Sequence, residues 1–404
     1  MKILVLNAGS SSQKSCLYEI TDQPPHQPPQ PLWEAQIDWT YQPGVAEIKV
    51  ETHQSQQIKT LPFQERLPVI ETLLSTLWSG DSPVISSAAE VDAVGHRVVH
   101  GGQHYHDSVR ITPEVTAEID RLSVLAPVHN PVNLEGIRAI ETILGEQVPQ
   151  VAVFDTAFHA QMPDQAAIYP IPYELSQQGI RRYGFHGTSH RYCAERTAEI
   201  LEQPLSSLRI VTCHLGNGGS LAAIRNGRSV ATTMGFTPLD GLMMGTRAGS
   251  IDPSILIYLI REAGYSADKL DQILNQASGL LGVSGVSNDM RQIDKAIAEG
   301  NPRARLAKAI YMHDLKAFIG AMVAVLGGLE ALVFTAGVGE NAPQVRAEAC
   351  EAFGYMGLKL DLDQNNARPR DQVISTEDST VKVLVVHTQE DWAIARDCWQ
   401  VLQG

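Results

Sequence analysis

The sequence predicts an α/β protein built of two similar domains, on three observations. Apolar, β-rich runs and stretches of helical periodicity are mixed along the whole chain of 404 residues. The stretch RIVTCHLGNGGSLAAIRNGRSVATT (209–233) repeats the plan of the opening ILVLNAGSSSQKSCLYEI (3–20). In both, a β-rich run meets a polar residue and a Gly/Ser turn, and a second strand leads away. Glycine turns follow apolar runs at three places: after Asn7, at HLGNGGS (214–220) and at TAGVGENAP (335–343).

Taken in order, residues 3–7 read as a buried strand. Cys16, Tyr18 and Ile20 alternate with Ser15, Leu17 and Glu19, which predicts a second strand. DQPPHQPPQP (22–31) predicts an exposed, polyproline-like loop. Strands follow at AEIKVET, VDAVGHRVVHGG, QVAVFD, LRIVTCHLG, GSLAAIRNGRSVATT, EALVFTAG and VKVLVVHT, with Asn226-Gly227 as a type I′ hairpin turn. Helical periodicity marks ERLPVIETLLSTLW, NLEGIRAIETIL, SHRYCAERTAEIL, PSILIYLIREAG, RARLAKAIYMHDLKAFIGAMVAVLG and EDWAIARDCWQVL. In the last of these Trp392, Ala395, Trp399 and Leu402 share a face.

Composition narrows the function. With 44% hydrophobic and 19% charged residues the chain is globular, and its length suggests two domains. A formal charge of −14 repels nucleic acid and anionic membranes, so neither is expected as a partner. The five cysteines (Cys16, Cys193, Cys213, Cys350 and Cys398) are odd in number and scattered, with no CxxC pair. That argues against a disulfide framework and a structural zinc site and for a reducing, cytoplasmic setting. The apolar run of the opening stops at Asn7, too short for a signal peptide. The apolar stretch 319–339 contains Gly327-Gly328 and Glu330, so it reads as a helix end, a glycine break and a buried strand rather than a membrane span.

The opening turn is not a Walker A loop. Counted from Gly9, the second glycine before Lys14 is missing, and a strand rather than a helix follows the lysine. Any phosphate must then be held by backbone N–H groups of the turn, by the hydroxyls of Ser10 to Ser12 and by Lys14. A purely structural hairpin accounts for this turn taken alone. Three such glycine turns in one chain resemble a nucleotide cradle.

Four cations lie in or beside turns: Lys14, Arg97, Arg247 and Arg291. Arg247 sits in the nearly uncharged TPLDGLMMGTRAGS (237–250), where a guanidinium calls for a buried anion. His186, in YGFHGTSHRY, stands between glycines and before a helix expected to be capped by Thr188 or Ser189. His190 reads as structural, and His129, between prolines, as part of a rigid loop. Asp155 and Glu390 follow strands and could serve metal or acid–base chemistry, although solvated strand-end acids look the same. Mg²⁺ held by few protein ligands and by substrate phosphates leaves so sparse a signature.

With NAGSSSQK, GHRVVHGG, LAPVHNP, VFDTAFH, YGFHGTSHRY, HLGNGGS, TPLDGLMMGTRAG, SNDMR and AGVGEN in this order, essentially the whole chain resembles the acetokinase family. The resemblance implies two duplicated actin-like, ribonuclease H-like domains around a central cleft. It places them at 1–155, completed by a C-terminal helix 391–404, and at 156–390. It also implies a homodimer and a reversible, Mg²⁺-dependent (or Mn²⁺-dependent) in-line phosphoryl transfer between ATP and acetate, giving acetyl phosphate and ADP. By motif, Asp155, His186 and Arg247 would be catalytic. Arg97, Val99, Leu125, Phe185 and Pro238 would bind the acid, and Asn7 and Glu390 the metal. ATP would be held by Lys14, by His214, Leu215, Gly216, Asn217 and Gly218, by Asp289, Met290 and Arg291, and by Gly337, Val338, Gly339, Glu340 and Asn341. The sequence departs from the family at Ser15, where an apolar residue is usual after the lysine, and in the proline-rich 22–31. Propionate or butyrate kinases of the same family, and a non-catalytic ATP-dependent switch on the same fold, are the alternative readings. Val99 favours the smaller acid.

Overall fold

The computed structural model describes residues 1–9, 11–25 and 27–404; Ser10 and His26, on which parts of the turn and proline-loop readings rest, lie outside the described residues. The chain forms two compact units, Met1–Ala160 with Gln389–Gly404, and Gln161–Thr388. Glu390, expected at the end of the second domain, thus belongs to the first unit.

The first unit holds a sheet of β1 (Lys2–Ala8), β2 (Ser12–Glu19), β3 (Trp33–Gln42), β4 (Val45–Thr52), β5 (Gln56–Pro62), β6 (Ala93–Val98), β7 (Val109–Arg110) and β8 (Gln150–Phe154). Their order is β5-β4-β3-β2-β1-β6-β8-β7. β1 runs antiparallel to β2 and parallel to β6, and β6 runs parallel to β8. The second unit holds β9 (Arg209–Leu215), β10 (Gly219–Arg225), β11 (Arg228–Thr232), β12 (Ala331–Thr335), β13 (Gln372–Val373) and β14 (Lys382–Val385), in the order β11-β10-β9-β12-β14-β13.

The two sheets share one wiring. Counted from β3 in the first sheet and β11 in the second, each has two consecutive antiparallel pairings, then two parallel ones, and ends on an antiparallel edge strand. The internal echo in the sequence is this repeated hairpin, and β4 and β5 are an addition to the first copy. Asn226 (φ 54°) and Gly227 (φ 74°) form the two-residue turn between β10 and β11, both with the positive φ that a type I′ turn demands.

The first sheet is covered by helices that use its alternate residues. Val94 joins a core cluster with Leu4, Leu6, Ala139 and Ile140, the last two from the helix Asn130–Leu144. Its neighbour Gly95 abuts the terminal helix Glu390–Gln403: a Cβ there would lie 2.8 Å from Ile394 Cγ2. Glycine is what admits the helix so close. That helix is buried more widely than on the expected face, with Ile394 and Cys398 enclosed as well as Trp392 and Ala395.

In the second unit the helix Pro302–Leu326 is long and apolar enough to cross a membrane, yet it lays Ala307, Tyr311, Leu315, Ile319 and Met322 into the core around β9 and β12. It ends at Gly327 (φ 69°), and β12 follows, as its sequence implied.

Some elements went unread. β3 alternates buried and exposed residues from Trp33 to Trp39, a legible period of two. The helices Pro113–Arg121, Ala267–Gln276, Met290–Ala298 and Pro343–Glu351 begin after Thr112, Ser266, Asp289 and Ala342. The first three of those caps accept a hydrogen bond from a backbone N–H of the first turn.

Two histidines are sealed beside the central strands of the first unit. His96 is 2% exposed and His100 0%. Burial pushes both imidazoles down to about 4, for His96 against the opposing pull of Gln150 Oε1 at 2.6 Å. An unfolded chain takes up protons near pH 6.5 that the folded chain refuses until about 4. Stability is therefore complete above about pH 6.5 and declines below it. The unfolding free energy from urea titration is expected to fall between pH 7 and pH 4.5, by roughly 1–3 kcal/mol per buried histidine. His96→Gln should flatten the decline; an unchanged pH profile in that variant would contradict this account.

Candidate active site

In the first unit, three parallel strands deliver the candidate groups. Leu6 pairs with His96 across β1 and β6, which sets Asn7 beside Arg97. Val98 pairs with Phe154, and the Asp155 N–H donates to Val98 O at 2.9 Å. Arg97 grips Asp155 with Nε at 3.1 Å from both carboxylate oxygens and Nη2 at 2.5 Å from Oδ2. Asp155 is 1% exposed, so it needs such a partner. Nη1 is the arm of the guanidinium that this pair does not use. Burial pulls the Arg97 pKa down, but the Asp155 carboxylate outweighs it and the guanidinium stays charged.

Lys14 is exposed on β2, directly across the hairpin from Asn7. Asn7 Nδ2 donates to Asp391 Oδ1 at 2.9 Å, a partner that sequence reasoning missed although the acidic pair Glu390-Asp391 at a helix start was a signal. Glu390 is the first residue of the terminal helix rather than a strand-end acid. Burial pushes its carboxyl up to about 7; Arg97 and Lys14 oppose, while Asp155 and Asp391 add to the rise.

Among the described residues no three His, Cys, Asp or Glu side chains form a metal cluster. The oxygen of Asn7 and a carboxylate short of positive charge at Glu390 nevertheless suit a hard divalent cation that keeps most of its water and phosphate ligands. Val99 is buried just past β6, its N–H donating to Asn133 Oδ1 at 3.2 Å, and Leu125 follows a short 3₁₀ turn, half-buried.

In the second unit the residues gather around the turn Gly216–Gly218, closed by Gly216 N–H to Gly218 O at 2.9 Å. A Cβ on Gly218 would sit 3.2 Å from Arg247 Nη1 and 3.7 Å from His186 Nε2, so a side chain there would crowd both. Arg247 Nη1 also donates to Pro238 O at 3.4 Å. The His186 ring stacks on His214, with centroids 4.1 Å apart and planes at 19°.

The expected cap at Thr188 or Ser189 is corrected. The helix Gly187–Ile200 is capped by His186 itself, with φ 58° and no side-chain cap bond. A non-glycine residue held there stores of order 1–3 kcal/mol of strain and points to a constrained site. Ser189 instead holds His214, with Oγ 2.8 Å from Nδ1.

Five of the residues assigned to ATP lie in the core or are engaged by protein partners. Leu215 and Met290 lie in the core, so only their backbones can face a ligand. Arg291 is exposed and locked to Asp289, with Nη2 2.6 Å from Oδ2, while Asp289 caps the helix that follows. Glu340 lies next to the end of a short helix, Ala336–Asn341, and its carboxylate turns inward. Oε1 accepts from the N–H of Ala336 (2.9 Å) and of Thr388 (3.3 Å), and Oε2 lies 2.6 Å from His387 Nδ1. Glu340 therefore shapes the glycine loop, whose first residue, Ala336, has φ 64°.

Arg346, 1% exposed and unforeseen, donates through Nη1 to the Gly339 and Glu340 carbonyls, each at 2.8 Å. Gly337, Val338 and Asn341 remain at or near the surface of the loop; Asn217 does so in its own turn, where its Oδ1 accepts from Asn288 Nδ2 at 3.0 Å. Phe185 is buried and Pro238 half-buried.

Comparison with known proteins bears on this arrangement. The family model described as the acetokinase family matches residues 2–396. An acetate kinase of Cyanothece sp. is 63% identical over 404 residues, covering 100% of this chain and 99% of that protein. The crystal structure of Porphyromonas gingivalis acetate kinase superposes with a TM-score of 0.90 at 42% identity, over 99% of each chain. A propionate kinase from Francisella tularensis superposes with a TM-score of 0.90 at 39% identity, again over 99% of each chain.

Proposed function

Because the chain belongs to the acetokinase family, we propose that it transfers the γ-phosphoryl group of ATP to acetate, reversibly, giving acetyl phosphate and ADP by direct in-line displacement. The observation that carries this reading is the cluster of His186, His214 and Arg247 at the Gly216–Gly218 turn, with His186 held in a left-handed conformation.

A phosphoryl group in flight carries its charge on three equatorial oxygens, and catalysis consists of positioning and of donors aimed at that charge. His186 and Arg247 supply such donors. Acetate is an anion at neutral pH and is itself the nucleophile, so no general base is required. Arg97 is fixed by Asp155 and presents its remaining Nη1 arm to the acid; Asp155 orients that arm and takes no proton. Val99, Leu125, Phe185 and Pro238 are the proposed apolar contacts of the methyl group. Backbone groups of the 214–218 turn and the 337–341 loop, with Lys14, hold ATP. Asn7 and Glu390 would hold Mg²⁺ or Mn²⁺, which when bound neutralises phosphate charge. The five cysteines are all buried thiols, which fits the reducing cytoplasm.

The second copy of a homodimer is the proposed cover for the helix Pro253–Arg261. None of its residues is buried, though Ile255, Ile257, Tyr258 and Ile260 are 47–63% exposed. So much exposed apolar side chain on one helix is rare on a monomer, and a self-complementary two-fold contact is the commonest way to cover it.

ADP release should depend on added acid and fall in the order acetate, propionate, butyrate, with each methylene costing about 1–3 kcal/mol at most. Asp155→Asn should lower turnover about a hundredfold or more. Acid-independent hydrolysis would exclude the kinase reading, and preference for propionate would shift it to the longer acid. In sedimentation, the chain should run as a dimer and Tyr258→Glu as a monomer; a monomeric wild type would remove the homodimer.

A further inference from the structure

A buried chain of side chains runs behind His186. His186 Nδ1 lies 2.9 Å from Ser220 Oγ. The same oxygen lies 2.7 Å from His190 Nε2, and His190 Nδ1 lies 2.7 Å from Thr212 Oγ1. Ser220, His190 and Thr212 are each 0% exposed. They come from three elements: β10, the helix Gly187–Ile200, and β9. Ser220 is the cross-strand partner of His214, so one rung of the β9–β10 ladder supplies both the ring stacked on His186 and the hydroxyl at its Nδ1.

A hydroxyl owns one proton. Placed between two ring nitrogens, Ser220 can donate to only one and must accept from the other. The two imidazoles are therefore coupled: at least one must present an N–H to Ser220, and a ring that receives the Ser220 proton must present its lone pair. The direction that suits the reaction is the one in which Thr212 O–H donates to His190 Nδ1, His190 Nε2–H donates to Ser220 Oγ, and Ser220 O–H donates to His186 Nδ1. His186 then carries its proton on Nε2, the ring nitrogen that faces Gly218, beside which Arg247 Nη1 also lies.

We propose that Ser220 and His190 are positioning residues. They hold His186 as the tautomer protonated on Nε2, so that this N–H is already aimed at the transferring phosphoryl oxygens. The inference rests on the reading of His186 given under Proposed function. It assigns work to His190, which the sequence marked as merely structural, and to Ser220, which the sequence did not mark. A ring whose tautomer is fixed loses no population to the wrong one, and the donor needs no reorganisation as charge develops.

The test compares Ser220→Ala, Ser220→Thr, His190→Gln and His186→Ala in the full chain by steady-state kinetics. Ser220→Ala should lower kcat on the order of tenfold or more while KM for acetate and ATP stays within about twofold. Ser220→Thr and His190→Gln, which keep a donor and acceptor in place, should recover most of the loss. Ring ¹⁵N chemical shifts of labelled histidine, assigned with His186→Ala, should report a proton on Nε2 of His186 in the wild type and a mixed tautomer in Ser220→Ala. A folded Ser220→Ala with unchanged kcat, or a wild-type ring protonated on Nδ1 alone, would overturn the proposal. Should the substitutions fail to fold, the wild-type ring shifts decide it. Full activity in His186→Ala would overturn the underlying site reading instead, so the two failures are distinguishable.

Discussion

Parallel pairing dictates which strand ends lie together, and this site depends on it. β1, β6 and β8 run parallel, so Asn7, Arg97 and Asp155 emerge at the same end of the first sheet, Asn7 level with Arg97 and Asp155 two residues further along in register. β9 and β12 do the same in the second, where Thr335 pairs with His214 at the mouth of both glycine turns. In open α/β sheets ligands gather beyond the carboxyl ends of the strands because loop backbone and polar side chains are set free there while the strand interiors stay apolar. The antiparallel hairpin that starts each sheet adds the second element: a strand rather than a helix follows the turn, so that under the proposed function an anion would meet backbone N–H groups and side chains rather than a helix terminus.

Rigidity is then bought with buried polar bonds. Asp155 holds Arg97 through three contacts, Ser220 and His214 fix His186, and Glu340 with Arg346 braces the loop that begins at Ala336. His186 and Ala336 both carry positive φ. Such conformations persist only where the surroundings over-determine them: His186 is bonded by Ser220 of β10, and Ala336 by Glu340 of its own short helix, which Thr388 and His387 hold in turn. In the proposed reading few residues touch substrate, and most polar side chains nearby serve to aim them.

Much of this was legible in the sequence. The repeated hairpin, the type I′ turn at Asn226-Gly227, the strand after Lys14 and the glycine break after Leu326 all depend on local chemistry, which a sequence shows directly. The inward turn of Glu340, the burial of Leu215 and Met290, and the cap at His186 depend on partners far along the chain. Thr388 and His387 make Glu340 a brace, and no spacing rule reaches across that distance. Glu390 illustrates the same limit: its position after a strand-like run was visible, whereas its place at the head of a helix packed on the first sheet required the fold. β3 is different, since its alternation was plain and simply unread.

In this account one displacement occurs at phosphorus, with acetate entering opposite ADP, and no side chain is phosphorylated. His186, Asp155 and Glu390 are each capable in principle of carrying a phosphoryl group, so the distinction is chemical and can be measured. The most direct measurement is the stereochemical course at the transferred phosphorus, using ATP made chiral at the γ-position with oxygen isotopes and analysing the acetyl phosphate formed. A single in-line transfer predicts inversion. Retention would require an even number of displacements, hence a phosphorylated enzyme, and would contradict the account.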